Sequence, residues 1–312
     1  MGNRLKGKVA VVTGAGLSKG ASRQGVGIGR AEALALASEG AKVVVNDFGI
    51  KPDGTGFSKE PADEVVAEIK KMGGEAVANY DSVATVEGGE NIIKTAVDKF
   101  GRIDILVNNA GFIKDVMIFN MTPQDWDGVI KVHLYGVYHC TKPAVVLMRQ
   151  QKSGRIINTS SEAGLFGTFG QANYGSAKEG IIGFTRKVAA DLGKYGVTCN
   201  AIRPRAGLPM SLKKLWEEQG KISEIELLER NKVEDIAPLV VWLASDESAN
   251  VNGRTFFVST GRIGLYSEPV EEKIWVKGGG GWTIDEMFEF MPTTLAAGLV
   301  NAVAPARPTE KK

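Results

Sequence analysis

Tyr174 and Lys178 are the residues whose types and spacing point most directly to chemistry. They are four residues apart at the start of a segment with helical periodicity, so both side chains fall on one face of the predicted helix. A free phenol has a pKa of about 10, but a nearby ammonium favours the phenolate and lowers that pKa by about 1–3 units. Tyr174 could then accept the proton of an alcohol, with Ser161 hydrogen-bonding the same oxygen. Taken alone, the pair also fits an ordinary amphipathic helix with a solvated lysine.

A run of glycines follows the first predicted strand and leads directly into a helix rich in alanine. Glycines there allow backbone amides to approach a pyrophosphate, whose charge is favoured at the amino end of the helix. Asp47 lies 18 residues beyond Gly29, close to the spacing of an acid that binds the adenosine ribose. Because a carboxylate repels a 2′-phosphate, the pattern favours NAD over NADP. The glycines of this turn are Gly14, Gly16, Gly20, Gly25, Gly27 and Gly29, of which Gly14, Gly27 and Gly29 are the predicted cofactor-binding residues.

The elements that position these residues alternate between short apolar runs and longer segments of helical periodicity. This alternation predicts an α/β fold, a doubly wound sheet of seven parallel strands with its ligand at their carboxyl ends. The predicted strands are Lys8–Thr13, Lys42–Asp47, Ala76–Asp81, Ile103–Asn108, Arg155–Ser160, Thr198–Arg203 and Thr255–Ser259. The predicted helices are Arg30–Glu39, Asp63–Met72, Glu90–Phe100, Gln124–Gln151, Ser176–Tyr195 and Asp235–Ser245.

The segment 263–312 departs from this rhythm, which predicts one domain over 1–262 followed by a carboxy-terminal extension. A glycine run ends at Gly281, and Thr283 and Glu286 have the spacing of a capping box. A short helix reaching about Met291 should follow. We expect the extension to pack on the core or on an oligomer partner.

Composition narrows the function classes. The 38 Lys and Arg nearly balance the 36 Asp and Glu, leaving a formal net charge of +2, which does not suggest a nucleic-acid partner. Cys140 and Cys199 are far apart and lack metal-ligand spacing, so we predict no metal site and a reducing compartment. No window approaches the roughly 20 apolar residues of a membrane helix, and neither end resembles a targeting signal. The expectation is a cytoplasmic protein that acts on a small molecule.

Three motifs together resemble the short-chain dehydrogenase/reductase family over about residues 5–262. They are Thr13-Gly14 opening the glycine turn, Asn108-Asn109-Ala110-Gly111 after the fourth strand, and Ser161 followed by Tyr174-x-x-x-Lys178. The resemblance implies a Rossmann-type domain and nicotinamide-dependent oxidoreduction. It implies that Tyr174 is the acid/base, that Ser161 orients the substrate and that Lys178 binds the nicotinamide ribose.

The same resemblance implies further contacts and an assembly. Asp81 and Ser82 would lie at the adenine, and Asn108 at the adenosine side of the cofactor. The helices predicted over 124–151 and 176–195 resemble those through which the family forms dimers and tetramers, so a homodimer or homotetramer is expected.

Within the family, three segments resemble the dehydrogenase portion of peroxisomal multifunctional enzyme type 2. Members of that branch oxidise (3R)-3-hydroxyacyl-CoA and some hydroxysteroids. The matching segments are Val43–Gly49, Ala76–Val83 and Phe169–Tyr174.

Three departures from the family pattern matter. Twelve residues, Ala15–Val26, separate Gly14 from Gly27 where the family usually has three, and Arg23 among them could oppose the preference for NAD. His133 occupies the position of the family's catalytic Asn, which acts through its main-chain carbonyl. His133 could also relay protons or be a buried structural residue. Arg205 follows Pro204 where the family usually has Gly, and whether it faces the substrate is open.

Apolar residues near the predicted site suggest an apolar substrate. Phe166 and Phe169 lie close to Ser161 in sequence, and Lys213 and Lys214 could meet coenzyme A phosphates or simply form a solvated helix face. A further apolar stretch, which ordinary core packing would also explain, comprises Leu208, Met210, Leu212, Leu215 and Trp216.

Three hypotheses follow. The first is an NAD-dependent 3-hydroxyacyl-CoA dehydrogenase, and the second is a dehydrogenase of free secondary alcohols such as cyclic alcohols or hydroxysteroids. The third is a non-catalytic NAD-binding subunit of a larger assembly, which the Ser161, Tyr174 and Lys178 set argues against.

Overall fold

The central feature of the fold is a twisted sheet covered by helices on both faces. In the computed structural model the described residues are 2–16, 27–50, 55–206, 231–277 and 282–299. Within them the sheet has eight strands in the order β3-β2-β1-β4-β5-β6-β7-β8. The strands are β1 Val9–Thr13, β2 Lys42–Asn46, β3 Ala76–Asn79, β4 Ile105–Asn108, β5 Gly154–Thr159, β6 Val197–Pro204, β7 Thr255–Ser259 and β8 Arg262–Leu265.

The predicted doubly wound sheet is confirmed, with one correction. The seven predicted strands are parallel, but β8 adds an antiparallel edge strand to β7. Gly261 turns the chain between them with a φ of 70°, a backbone conformation that glycine adopts without strain. Because β8 is short and largely exposed, its sequence lacks the apolar run by which the other strands are predicted.

Helices of the first structural unit, residues Met1–Tyr266, pack on both faces of the sheet. Side chains alternate between the two cores: Val9 and Val11 of β1 enter one, and Ala10 and Val12 enter the other. This burial on both faces explains why the strands read as unbroken apolar runs. The helices are α1 Ile28–Ser38, α2 Glu60–Lys71, α3 Val86–Phe100, α4 Pro123–Ile130, α5 Gly136–Gln151, α6 Ala163–Phe166, α7 Ala172–Leu192 and α8 Ala237–Ala244.

Helix boundaries are where the predictions are least accurate. Helix α3 begins at Val86 rather than Glu90, because Thr85 caps it by accepting a hydrogen bond from the Gly88 amide. The helix predicted over 124–151 is divided by a π-helical turn, Lys131–Tyr135. Such turns occur often at functional sites, and this one carries His133.

The sheet reverses its strand order at β1. Strand β1 pairs with β2 on one side and with β4 on the other. The crossovers on either side of β1 therefore run in opposite directions and leave a crevice at the carboxyl ends of β1 and β4. Ligands of doubly wound folds bind in such a crevice.

Residues Ser267–Lys312 form a second structural unit. Its helix, α9 Ile284–Phe290, starts with the predicted capping box, in which Thr283 and Glu286 each accept a hydrogen bond from the other's backbone amide. The ring of Phe290 packs against Trp275 and Trp282, with centroids 5.9 and 6.1 Å away. The predicted division of the chain at residue 262, and the packing of the extension, stay predictions. In the described part of the chain no helix has both the length and the apolarity needed to span a membrane.

Candidate active site

The predicted proton-transfer residues come together at the carboxyl ends of β5 and β6. Ser161 lies two residues beyond β5, and Tyr174 and Lys178 lie in the first two turns of α7. Asn173 fixes the start of this helix: its Oδ1 accepts from the Tyr174 amide at 2.7 Å, and its Nδ2 donates to the carbonyls of Lys114 and Asp125. Sequence reasoning missed Asn173, because Lys114 and Asp125, to which it donates, are distant from it in the chain.

Tyr174 contacts both of its predicted partners. The Ser161 side chain is close enough to the Tyr174 hydroxyl to lower its pKa, and the Lys178 Nζ lies 5.5 Å from the centroid of the Tyr174 ring. Burial nevertheless raises the pKa of Tyr174, the Ser161 hydrogen bond lowers it, and the charge of Asp115 raises it further. The protein's own groups therefore do not lower the pKa of Tyr174 as expected. Removing a phenolate from water costs more free energy than the interaction with Ser161 contributes.

Lys178 is almost completely buried. Its Nζ donates to the Thr159 carbonyl at 2.7 Å, which leaves two of its three N–H groups for other partners. Burial lowers the pKa of Lys178 to about 7, and the charge of Glu32 raises it. The lysine can therefore change its charge near neutral pH.

Glu32 is a second buried ionisable residue, and sequence reasoning missed it. It lies on α1, is completely buried, and neither of its carboxylate oxygens has a hydrogen-bond partner. Burial raises the pKa of Glu32 to about 8, while the charge of Lys178 lowers it. Its place in an alanine-rich helix gave no indication of this role, since a glutamate there is usually solvated.

His133 lies beneath the loop that follows β4. Its Nε2 is 2.7 Å from the Phe112 carbonyl oxygen, and its ring meets the Tyr174 ring edge-on with centroids 5.1 Å apart. Burial, followed by the charge of Lys178, lowers the pKa of His133 to about 3, so the imidazole is neutral. Its Nδ1 has no hydrogen-bond partner. Of the alternatives raised by the sequence, this geometry favours a buried structural histidine over a proton relay.

Close backbone packing explains the glycines predicted to bind the cofactor. A Cβ on Gly14 would lie 2.6 Å from the Ala110 Cα, and one on Gly29 would lie 2.4 Å from the Asn109 Nδ2. Gly27 is the residue before α1 and has a φ of 108°, which disfavours other residue types. This lack of side chains fits a crevice in which a pyrophosphate meets the amino end of α1.

Asp47 follows β2 and already accepts two backbone hydrogen bonds. Its Oδ2 accepts from the Gly16 amide at 2.8 Å and its Oδ1 from the Gly49 amide at 2.7 Å. Burial raises the pKa of Asp47, and these two hydrogen bonds lower it. Asp47 directly follows the carboxyl end of β2, and its contact with the adenosine ribose stays a prediction.

Asp81 and Ser82 lie at the same corner, after the neighbouring strand β3. The Asp81 carboxylate accepts from the Asn79 side chain at 2.7 Å, and its carbonyl accepts from the Asn46 side chain at 2.9 Å. Ser82 accepts a hydrogen bond from the Ala84 amide at 3.3 Å. Both residues follow the carboxyl end of β3, and their contact with the adenine stays a prediction.

The placement of Asn108 differs from the prediction. Its side chain is buried and donates to Thr141 at 3.1 Å and to Asn158 at 2.8 Å, away from the crevice. Asn109 instead reaches the glycine turn, donating to the carbonyls of Thr13 and Gly14. The alternation of side chains along a strand explains the difference, since neighbouring residues face opposite sides.

Comparisons with known proteins identify the family. Residues 20–262 match the family model described as enoyl-(acyl carrier protein) reductase. The chain belongs to the short-chain dehydrogenase/reductase family. Like other members it is an oxidoreductase that acts on hydroxyl or keto groups, and the family and the fold imply a nicotinamide cofactor, NAD or NADP.

Relatives in this family include enzymes of thioester metabolism. The chain is 46% identical to mouse peroxisomal multifunctional enzyme type 2 over 84% of its length and 33% of the relative's. It is 44% identical to a 3-oxoacyl-[acyl-carrier-protein] reductase of Synechocystis over 83% of this chain and 98% of that one. It is 39% identical to a hydroxyacyl-CoA dehydrogenase of Mycobacterium tuberculosis over 91% of this chain and 87% of that one. The predicted resemblance to the multifunctional enzyme is thus confirmed.

A solved structure shows the same fold. The crystal structure of a short chain dehydrogenase from Mycobacterium avium matches with a TM-score of 0.77 and 39% identity, covering 94% of this chain and 96% of that one.

Within this family fold, two connecting segments with exposed apolar side chains lie beside Ser161 and Tyr174. Phe166, the last residue of the short helix α6, and Phe169, in the loop after that helix, are 70% and 79% exposed, so they are not part of the core. Ile118 and Phe119, in the loop after β4, are similarly exposed. The Val116 amide donates to the Gly170 carbonyl at 2.8 Å and joins the two loops. We call residues 112–121 and 163–171 the apolar loops.

The remaining predicted contacts involve Arg205 and two segments outside the described residues. Arg205 forms an ion pair with Glu162, donating through Nε at 3.0 Å. Most of the insertion, 17–26, and the segment 207–230 with Lys213 and Lys214 lie outside the described residues. In the described part no group of His, Cys, Asp and Glu side chains is arranged to hold a metal ion.

Proposed function

We propose that the chain is an NAD-dependent dehydrogenase that interconverts 3-hydroxyacyl-CoA and 3-oxoacyl-CoA. The observation that carries the proposal is the convergence of Ser161, Tyr174 and Lys178 beside the apolar loops. The hydroxyacyl-CoA dehydrogenase named above supports the substrate class, since its alignment covers most of both chains.

The residues of the chain perform the proton transfer. The Ser161 hydroxyl hydrogen-bonds the substrate oxygen, and the Tyr174 Oη accepts the proton of the alcohol or returns it to the ketone. Lys178, with two N–H groups still available, would hold the nicotinamide ribose, and when charged it favours the phenolate of Tyr174. The nicotinamide supplies the hydride acceptor when bound, and its positive charge favours the phenolate further.

The preference for NAD rests on Asp47. Gly14, Gly27 and Gly29 would accommodate the pyrophosphate, Asp81 and Ser82 the adenine, and Asp47 the ribose hydroxyls. A 2′-phosphate at Asp47 would bring like charges together with little water to screen them.

The apolar loops support an elongated apolar substrate. Exposed apolar patches of this kind commonly mark binding sites. A coenzyme A thioester also offers binding energy far from the reacting carbon, which an enzyme can use to position that carbon.

We propose a homodimer or homotetramer and a cytoplasmic location. Tyr138 and Val146 of α5 are about half exposed, which favours a partner for this helix. Cys140 and Cys199 are buried free thiols, which fits a reducing compartment.

Turnover by the purified protein tests this function. Medium-chain (3R)- and (3S)-3-hydroxyacyl-CoA, the free 3-hydroxy acids, cyclic alcohols and hydroxysteroids are compared with NAD and NADP, with Tyr174→Phe as the inactive control. We expect kcat/KM to be largest for a thioester with NAD. Rapid turnover of free alcohols without thioester activity would replace this proposal by the free-alcohol dehydrogenase. Tight NAD binding without turnover of any substrate would favour the non-catalytic subunit.

A further inference from the structure

Arg203 of β6 and Arg205, the first residue beyond that strand, hold the dipeptide Ser161-Glu162. The Arg203 NH1 group donates to the Ser161 carbonyl at 3.2 Å, and the Arg205 side chain donates to the Glu162 carboxylate. Strands β5 and β6 are parallel neighbours with Thr159 opposite Ile202, so both contacts lie just beyond the ends of the paired segment.

Arg203 also contacts the helix that carries the other two reacting groups. Its NH2 group donates to Glu179 at 2.8 Å, and Glu179 directly follows Lys178 on α7. The Arg203 side chain is buried, whereas the Glu179 side chain is about half exposed. One guanidinium therefore joins the Ser161 main chain to α7.

The unpredicted strand β8 completes this arrangement. Tyr266, directly after β8, places its ring 5.0 Å from the Arg203 guanidinium carbon. Its hydroxyl lies 3.4 Å from the Glu162 carboxylate. The planar guanidinium is thus confined by a ring, a carboxylate and a carbonyl, which favours a single orientation.

We propose that Arg203 is a positioning residue, which fixes the Ser161 hydroxyl relative to Tyr174 and Lys178 by bonding the Ser161 carbonyl and Glu179 together. This inference rests on the proposed function of Ser161. Its physical reason is that a Ser beyond the end of a strand has no ladder hydrogen bonds to hold it. A displacement of about 1 Å in such a group can cost about a hundredfold in rate.

A double-mutant cycle tests whether Arg203 acts through Ser161. Arg203→Met should lower kcat by about 10- to 100-fold and leave the Kd for NADH within about threefold. In a Ser161→Ala background the same substitution should lower kcat by less than about threefold, because the group that it positions is gone. Equal losses in both backgrounds would overturn the proposal, since they indicate a general structural role.

Arg155 provides a matched control. It is a buried arginine of the neighbouring strand β5 that donates to the carbonyls of Ser245 and Gly196, at the amino end of the sheet. Arg155→Met should lower the Tm in a similar way but change kcat by the same factor with and without Ser161. If Arg203→Met does not fold, Glu179→Ala replaces it in the cycle, because Glu179 is partly exposed. Glu179→Ala should lower kcat by about 3- to 10-fold, again only when Ser161 is present.

A measurement without substrate separates this inference from the proposed function. The ¹³Cζ resonance of Tyr174, assigned by its absence in Tyr174→Phe, reports on the hydrogen bond from Ser161. In Arg203→Met it should move toward its position in Ser161→Ala, and in Arg155→Met it should stay in place. An unmoved resonance in Arg203→Met would refute the positioning role, even if the enzyme turns over thioesters. A moved resonance in a protein without turnover would support the positioning role and refute the proposed reaction.

Discussion

The two halves of the crevice hold their charged groups in different ways. In the half formed by β1, β2 and β3, each carboxylate accepts hydrogen bonds from neutral amides: Asp47 from two backbone amides, and Asp81 from the side chain of Asn79. In the half formed by β4, β5 and β6, Lys178 has one hydrogen bond and His133 has one free ring nitrogen.

This difference in hydrogen bonding distinguishes residues suited to binding a ligand from residues suited to proton transfer. A carboxylate that accepts hydrogen bonds from two backbone amides is held in one orientation, as a residue that recognises a ribose must be. A lysine buried with few partners has a pKa near the working pH, as proton transfer requires. The predictions below probe this contrast from the largest expected effect to the smallest.

Tyr174→Phe probes the reactive half most directly. It removes only the hydroxyl, so kcat should fall by about 100- to 10,000-fold, the usual contribution of general acid/base catalysis. NADH binding, followed by fluorescence, should stay unchanged because the ring and Lys178 remain. Near-normal turnover by this variant would contradict the role of Tyr174.

Glu32→Gln probes an exception to this contrast. Glu32 lies on α1, which follows β1 in the binding half, but its carboxylate is buried without hydrogen-bond partners. Its pKa is raised from 4.5 to about 8 in the folded chain. Between these pH values the unfolded chain loses a proton that the folded chain keeps, so wild-type stability falls as pH rises. Gln cannot ionise, so the variant should gain stability over wild type between pH 5 and pH 8, by at most about 5 kcal/mol.

Urea unfolding of both proteins at the two pH values measures this gain. A gain for Glu32→Gln that is the same at pH 5 and pH 8 would show that Glu32 is already ionised in the folded chain.

Asp47→Ala probes the binding half. Like charges about 4 Å apart cost roughly 1–4 kcal/mol, so the ratio of kcat/KM for NAD over NADP should fall by about 10- to 100-fold. Asp98→Ala, on the outside of α3, changes the net charge equally and should leave the ratio unchanged. A wild-type protein that uses NADP as well as NAD would show that a cation elsewhere in the chain overrides Asp47.

His133→Asn should have the smallest effect. Because the pKa of His133 is about 3, the imidazole does not titrate near neutrality. We expect kcat/KM to fall by less than about tenfold and its pH profile to keep the same shape. An ionisation between pH 6 and 7 that disappears in the variant would assign proton relay to His133 after all.

Much of the fold was predictable because the sequence pattern reflects burial. Strands such as Val9–Thr13 are covered on both faces, so each reads as an unbroken apolar run. Strand β8 was missed because it is exposed, and the π-helical turn at His133 was missed because it leaves the apolar periodicity nearly unchanged.

The candidate site likewise contains some residues that the sequence predicts and others that it does not. Ser161, Tyr174 and Lys178 were predictable because a family motif fixes their spacing, and Gly14, Gly27 and Asp47 because a tight turn and a strand end require those residue types. Asn173, Glu32 and Arg203 were not, because each draws its role from residues distant in the chain.

By itself the sequence determined which groups could do chemistry, and in which order the strands and helices that carry them follow one another. Local rules suffice for this, since turns, caps and apolar periodicity depend on neighbours in the chain. Only the tertiary structure decided the ionisation of those groups. Desolvation and distant charges set the pKa values of Lys178, His133 and Glu32, and these depend on which strands and helices the fold packs around them.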